Sequence, residues 1–194
     1  MRPTLVLDAC VLMSGVLRPA LLDMAEQGLF NPIWSDRIGD EWRRNAGRLW
    51  PIAGELLDQE WRLMEERFSN ANQGDVSALE QGLRQSDKKD WHVIAAGISS
   101  RRSNPLSETT VLTWNLKDFR RSELRRHELG LSDPDTLLSR WWPDHHQLIS
   151  STIRAAIAQL VQEGRRQTDS TGNFLKRERL FRLATLYAEA DIRG

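Results

Sequence analysis

The chain has 194 residues, 40% of them hydrophobic and 28% charged, with 27 basic against 27 acidic side chains and a formal net charge of zero. That length suits one compact domain with a modest appendage, and the balance of charge argues against a protein that coats nucleic acid by charge alone. Cys10 is the only cysteine, which excludes an intramolecular disulfide and a multi-cysteine zinc site.

Thr4-Leu5-Val6-Leu7 is a short apolar run ending at Asp8 and reads as a buried first strand of a parallel sheet. Arg18 to Leu29 follows as a helix, with Leu21, Leu22 and Ala25 at helical spacing and Gly28 at its close. Asn31 to Trp34 is a second short strand. Ser35 or Asp36 then caps a helix to about Trp50 that carries Glu41, Trp42 and Asn45. Pro51 suits the first position of a further helix through about Phe68, since its missing N–H would be unpaired there. Gln85-Ser86-Asp87 opens a helix containing Val93, Ile94, Ala96 and Gly97. Thr110 to Thr113 is the clearest later strand and leads through Trp114-Asn115 into the turn at Asp118. From Asp133 onward the chain reads as helical, with Pro143 opening a longer segment to about Val161. A polar break from Gln167 to Gly172 precedes one last amphipathic helix. No apolar run approaches the length of a bilayer span, and no long apolar stretch follows the N-terminus, so no membrane partner and a cytoplasmic location are expected.

This order of strands and helices implies an α/β fold with a mostly parallel sheet and helices on its faces. In such sheets, sites form beyond the carboxyl ends of the strands. Asp8 stands at one such end and the Asn115–Asp118 turn follows another. Asp90 lies in the first turn of a helix, where its charge also suits the dipole. Glu41 sits within a helix, where a solvent-facing carboxylate is equally ordinary. Several carboxylates gathered at one edge would raise one another's pKa, a penalty that a divalent cation removes. A donor set of hard oxygens points to Mg²⁺ or Mn²⁺ rather than zinc.

Four blocks of residues together resemble the PIN domains, a family of metal-dependent nucleases that includes the VapC-like toxins of toxin–antitoxin pairs. Leu5-Val6-Leu7-Asp8-Ala9-Cys10-Val11-Leu12 resembles the opening strand and first acid of that family, and Asp40-Glu41-Trp42-Arg43-Arg44-Asn45 resembles the helix with its second. Asp87-Lys88-Lys89-Asp90-Trp91-His92-Val93-Ile94-Ala95-Ala96 resembles the third block, and Leu112-Thr113-Trp114-Asn115-Leu116-Lys117-Asp118-Phe119 the fourth. The resemblance spans roughly residues 4–140. It implies a three-layer α/β/α PIN-like domain over residues 1–140, followed by a helical C-terminal extension over 141–194. It also implies that Asp8, Glu41, Asp90 and Asp118 are the catalytic and metal-holding acids. Thr113 and Asn115 take the polar positions that support the last acid, and Asp87 is an additional acid at the third block. Cys10 and Ala9 depart from the family, which often carries Asn or Ser and Thr or Ser there, so weaker support for the metal is expected at that point.

The expected function is therefore a divalent-metal-dependent endoribonuclease, the toxin of a pair whose antitoxin covers the acidic cleft. Arg43, Arg44, Lys117 and Arg120 are the residues expected to hold RNA phosphates, against the alternative of a solvated helix face. A homodimer through the C-terminal helices is the other expected assembly. The competing reading is a catalytically silent PIN module that binds RNA or protein. The G-x-G-x-x-G and P-loop signatures are both absent.

Overall fold

A computed structural model describes residues 2–50 and 53–193. The chain divides into two compact units, one formed by residues 1–13 and 28–132 and the other by 14–27 and 133–194. The sequence boundary at 140 is thus not where the units divide: the segment 14–27 groups with the C-terminal helices, and those begin at Asp133.

The first unit is α/β. Its strands β1 (Thr4–Leu7), β2 (Asn31–Ile33), β3 (Thr109–Leu112) and β4 (Leu129–Ser132) form one sheet in the order β2-β1-β3-β4. Every pairing is parallel, with Val6 opposite Ile33, Leu7 opposite Leu112 and Leu112 opposite Ser132. β1 is buried along its whole length, which is why it shows a continuous apolar run rather than alternation. The parallel register brings the carboxyl ends of β1 and β3 side by side, and Asp8 and Thr113 are the residues that follow.

Around this sheet lie α1 (Ala9–Leu12), α3 (Asp36–Leu49), α4 (Gly54–Arg67), α5 (Trp91–Ser103) and α6 (Arg121–Arg126). Ser35 caps α3 by accepting from the Ile38 N–H. Pro51, expected to open the next helix, lies outside the described residues, and α4 is described from Gly54. One face of α3 buries Ile38, Gly39, Trp42 and Ala46. Trp42 packs on Trp61 of α4 at 5.6 Å between ring centroids, and Trp34 meets Trp61 edge-on at the same distance. The Trp42 indole also donates to the Leu12 carbonyl at 3.1 Å. Such aromatic pairs contribute about 0.5–1.5 kcal/mol each beyond area burial, so α3 is held firmly.

α5 is buried almost all round, from His92 to Ile98. Gly97 lets it approach the sheet: a Cβ there would meet Leu129 Cδ1 at 2.9 Å and Val6 Cγ2 at 3.4 Å. β4 and α6 were not expected from the sequence. Gly130 breaks the strand pattern, yet its place opposite Thr110 needs glycine, because a Cβ would lie 2.6 Å from Thr110 Oγ1.

The second unit is helical, with α2 (Leu17–Glu26), α7 (Pro134–Gln162), α8 (Thr171–Arg177) and α9 (Phe181–Arg193). Pro143 does not open a new helix. It sits inside α7, and the helix kinks at His145, whose φ of −133° and ψ of 20° are non-helical. The single last helix expected from the sequence is two, α8 and α9, because Arg179 takes the left-handed conformation between them with φ of 64°. Asp135 ties α7 to the start of α9, its carboxylate accepting from the N–H groups of Arg182 at 2.9 Å and Leu183 at 3.0 Å. No helix among the described residues is long and apolar enough to cross a membrane.

Candidate active site

Asp8 follows the last residue of β1 and stands at the N-cap of α1, but its carboxylate makes no capping bond. It is turned instead to its neighbour strand. Thr113 Oγ1 donates to Asp8 Oδ2 at 2.6 Å, and the Cys10 thiol donates to the same oxygen at 3.2 Å. Asp8 is 3% exposed. Burial pushes its carboxyl above the usual range, against the two hydrogen bonds, and the charge of Glu41 adds to the rise.

Two expectations are corrected here. Thr113 supports the first acid rather than the last, because the register places it beside Asp8 and its hydroxyl is used there. Cys10, expected to leave the site less well supported, supplies a donor. Burial and then the Asp8 charge push its thiol up to about 12, so the proton that makes the bond stays on sulfur.

Asp90 is the least satisfied acid. It lies between the turn Lys88–Asp90 and α5, is 6% exposed, and its Oδ2 is buried with no hydrogen-bond partner. Burial first, then the charge of Asp8, raises its pKa to about 6, with smaller contributions of the same sign from Asp118 and Asp87. The position at a helix start would ordinarily favour the charged form. Here burial and like charge win.

Asp118 ends the turn Leu116–Asp118, and its Oδ2 lies 3.2 Å from Lys89 Nζ. Its backbone is joined to the third block, since the Asp87 N–H donates to the Asp118 carbonyl at 2.8 Å. Glu41 reaches from α3 so that Oε2 lies 3.2 Å from Nε2 of His92, a residue of α5 only 1% exposed. Neither imidazole nitrogen makes a well-aligned hydrogen bond. The His92 contact nonetheless holds the Glu41 carboxyl below its usual range against burial, and Arg44 and Arg37 add to it. Asp87 is peripheral: its side chain caps the turn before α5 by accepting from the Lys89 N–H at 3.1 Å.

A cleft of about 320 Å³ is lined by Arg37, Glu41, Arg44, Asn45, Arg48, Lys89, Asp90 and Asn115. Of the four cations expected to hold phosphates, Arg44 is on this surface. Arg43 is not: it pairs with Asp40 at 2.6 Å and Asp58 at 3.6 Å, and its guanidinium lies over Trp61. Lys117 and Arg120 are exposed elsewhere, and the Arg120 N–H donates to Ser86 Oγ. Sequence reasoning missed Arg37, whose place is set by its turn of α3, and Lys89.

It also missed Glu123. This carboxylate is 3% exposed and accepts from the N–H groups of Arg84 at 2.7 Å, Gln85 at 3.1 Å and Ser86 at 2.8 Å. Burial raises its pKa, but these bonds outweigh burial and hold it below the usual range. The loop leading to Asp87 and Asp90 is therefore anchored by one buried charge. Glu123 of α6 carries no signal in the sequence beyond an acid within Arg-Ser-Glu-Leu-Arg-Arg.

The donors suit a hard divalent ion in kind: carboxylate oxygens, one of them buried and unpartnered at Asp90, with Asp8 and Asp90 both raised first by burial and Asp90 further by the charge of Asp8. Among the described residues, however, no three or more His, Cys, Asp or Glu side chains are already gathered on one point as a metal centre. Lys89 engages Asp118, and His92 faces Glu41. Asp8 and Asp90 are thus the pair that would hold an ion, flanked by Asp118 and Glu41. Compared with protein-family models, curated proteins and solved structures, the chain gives no match.

Proposed function

We propose that this chain is a divalent-metal-dependent ribonuclease of the PIN type, built as a three-layer α/β/α domain with a helical extension and hydrolysing RNA phosphodiester bonds. The observation that carries the reading is the buried, unpartnered Oδ2 of Asp90 beside the charge of Asp8, beyond the carboxyl edge of a parallel sheet. An isolated protein gains nothing from two buried acids that repel each other, whereas a cation makes them a binding site. The resemblance of the four sequence blocks supports it.

In this reading Asp8 and Asp90 hold Mg²⁺ or Mn²⁺, and Thr113 and Cys10 fix the angle of the Asp8 carboxylate. Bound there, a divalent ion supplies positive charge against the developing phosphate charge and acidifies water. Glu41, kept ionised by His92, accepts a hydrogen bond from the attacking water. Arg44 and its neighbours bind phosphate. Action as a toxin under the control of an antitoxin protein, and homodimer formation, belong to the same proposal.

A silent binding module is the second reading, favoured by the ion pair of Lys89 with Asp118 and by the absence of a ready-gathered metal centre among the described residues. Incubation of the protein with RNA in EDTA, Mg²⁺ and Mn²⁺, beside Asp8→Asn and Asp90→Asn, separates the two. The nuclease cuts only with metal and only with both acids. Folded protein that leaves every RNA whole with either metal counts against the nuclease reading and favours the silent module.

A further inference from the structure

Lys89 stands one residue before Asp90 on the turn Lys88–Asp90, and its ammonium lies 3.2 Å from Asp118 Oδ2 and 3.7 Å from Asp87 Oδ2. Its place is set by the backbone. The Asp87 N–H donates to the Asp118 carbonyl at 2.8 Å, which joins this turn to the turn Leu116–Asp118. The Lys89–Asp118 pair does little for the fold, because the Lys89 side chain is 61% exposed and exposed ion pairs add little to stability. What it changes is the charge of the site. Glu41 has the His92 imidazole at 3.2 Å, with the charges of Arg44 and Arg37 acting on the same carboxylate, and Asp118 has Lys89. The side-chain donors to Asp8 are the Thr113 hydroxyl and the Cys10 thiol, which carry no charge, and Asp90 Oδ2 has no partner. Neither Asp8 nor Asp90 forms an ion pair among the described residues.

We propose that the Lys89 ammonium is the resident counter-ion of Asp118, so that the site takes one divalent ion, on Asp8 and Asp90, and not two. The inference rests on the metal site proposed above and adds how many ions that site admits. Two buried carboxylates without a counter-charge are the complement of a single divalent ion. A second ion needs further oxygen ligands, and the acids left to supply them are Asp118 and Glu41. To use Asp118 it must displace an ammonium that is tethered one residue from Asp90. It must also stand against the charge of Lys89, which reaches Asp90 and offsets part of the repulsion from Asp8 there. A unit charge a few ångströms from a divalent ion changes its affinity by about tenfold even at the dielectric of water. Lys89 thus supplies part of the positive charge that two-ion hydrolases draw from their second metal.

The test counts ions. Mn²⁺ is titrated into the full chain by calorimetry up to millimolar concentration, and free Mn²⁺ is followed in parallel by its electron paramagnetic resonance signal. The wild type should bind one ion per chain. Lys89→Met keeps the length of an exposed side chain and removes its charge. It should bind the first ion about tenfold more tightly and admit a second. Lys89→Arg should keep the count at one. Lys89→Met combined with Asp118→Asn should return it to one, because the released carboxylate is gone. Circular dichroism establishes that each variant is folded. Two ions in the wild type, one in folded Lys89→Met, or two in the combined variant overturns the proposal and leaves the metal reading intact. No ion in the folded wild type overturns that reading, and this inference with it.

Discussion

Thr113 Oγ1 lies 2.6 Å from Asp8 Oδ2, and each residue stands one place beyond a paired position, Leu7 opposite Leu112, of two adjacent parallel strands. The hydroxyl gives a buried carboxylate one of its two side-chain donors. Thr113→Val keeps the shape and removes the donor. Leaving a buried charged acceptor short of a bond costs about 1–3 kcal/mol, and urea unfolding should show that loss, with Thr113→Ser recovering most of it. An unchanged midpoint in Thr113→Val would mean that the contact does not hold Asp8.

Asp90 gives a pH dependence of opposite sign to that of a paired acid. Its folded pKa of about 6 lies above the ordinary 3.8, so the fold favours the protonated form. That contribution is fully present below about pH 4 and is lost as pH rises through about 6. Asp90→Asn should therefore stabilise the metal-free protein by about 2–3 kcal/mol at pH 7.5 and have little effect near pH 4. Thermal melts in EDTA at the two pH values measure this. A destabilised Asp90→Asn at pH 7.5 contradicts the placement of an uncompensated charge.

Glu123 behaves in the usual direction for a well-bonded carboxylate. Its pKa is held below the usual range by the Arg84, Gln85 and Ser86 amides, so the stability it supplies is present above the unfolded value and is lost as pH falls through the folded one. Glu123→Gln should cost about 1.5–3 kcal/mol at neutral pH, the range for bonds to a charged group. Hydrogen exchange should show the amides of residues 84–86 losing protection first. Unaltered protection there would remove Glu123 as the anchor of the loop.

How much of this could be read beforehand follows from range. β1, β3 and the capped α3 announce themselves through local composition, whereas Asp8, Glu41, Asp90 and Asp118 are singled out together only by the resemblance of the four sequence blocks to one family. The Thr113–Asp8 bond joins residues 105 positions apart, and only the parallel register tells which acid the hydroxyl serves. β4 was hidden by Gly130, whose reason is a neighbouring strand rather than its own segment. The division between α8 and α9 falls at Arg179, a residue type with no preference for positive φ. Arg43 and Arg44 are adjacent and chemically alike, and only the helix phase separates the one bound to Asp40 and Asp58 from the one facing the cleft.

Gly39 tests the packing that sets the phase of α3. A Cβ at this position would lie 2.6 Å from Cζ2 of Trp61, itself wedged between Trp34 and Trp42. Gly39→Ala should destabilise by about 1–3 kcal/mol through overpacking, despite the better helix propensity of alanine. A gain in thermal stability would show that α3 and α4 are not seated as described.

The central claim is that Asp8 and Asp90 form a divalent-metal site, and calorimetric titration of Mn²⁺ into the full chain at pH 7.5 tests it most directly. The account predicts saturable binding that weakens as pH is lowered through about 6, where Asp90 takes up a proton that competes with the ion, and that is lost in both Asp8→Asn and Asp90→Asn. Binding of equal strength in the two substituted proteins, or none in the folded wild type, would contradict it.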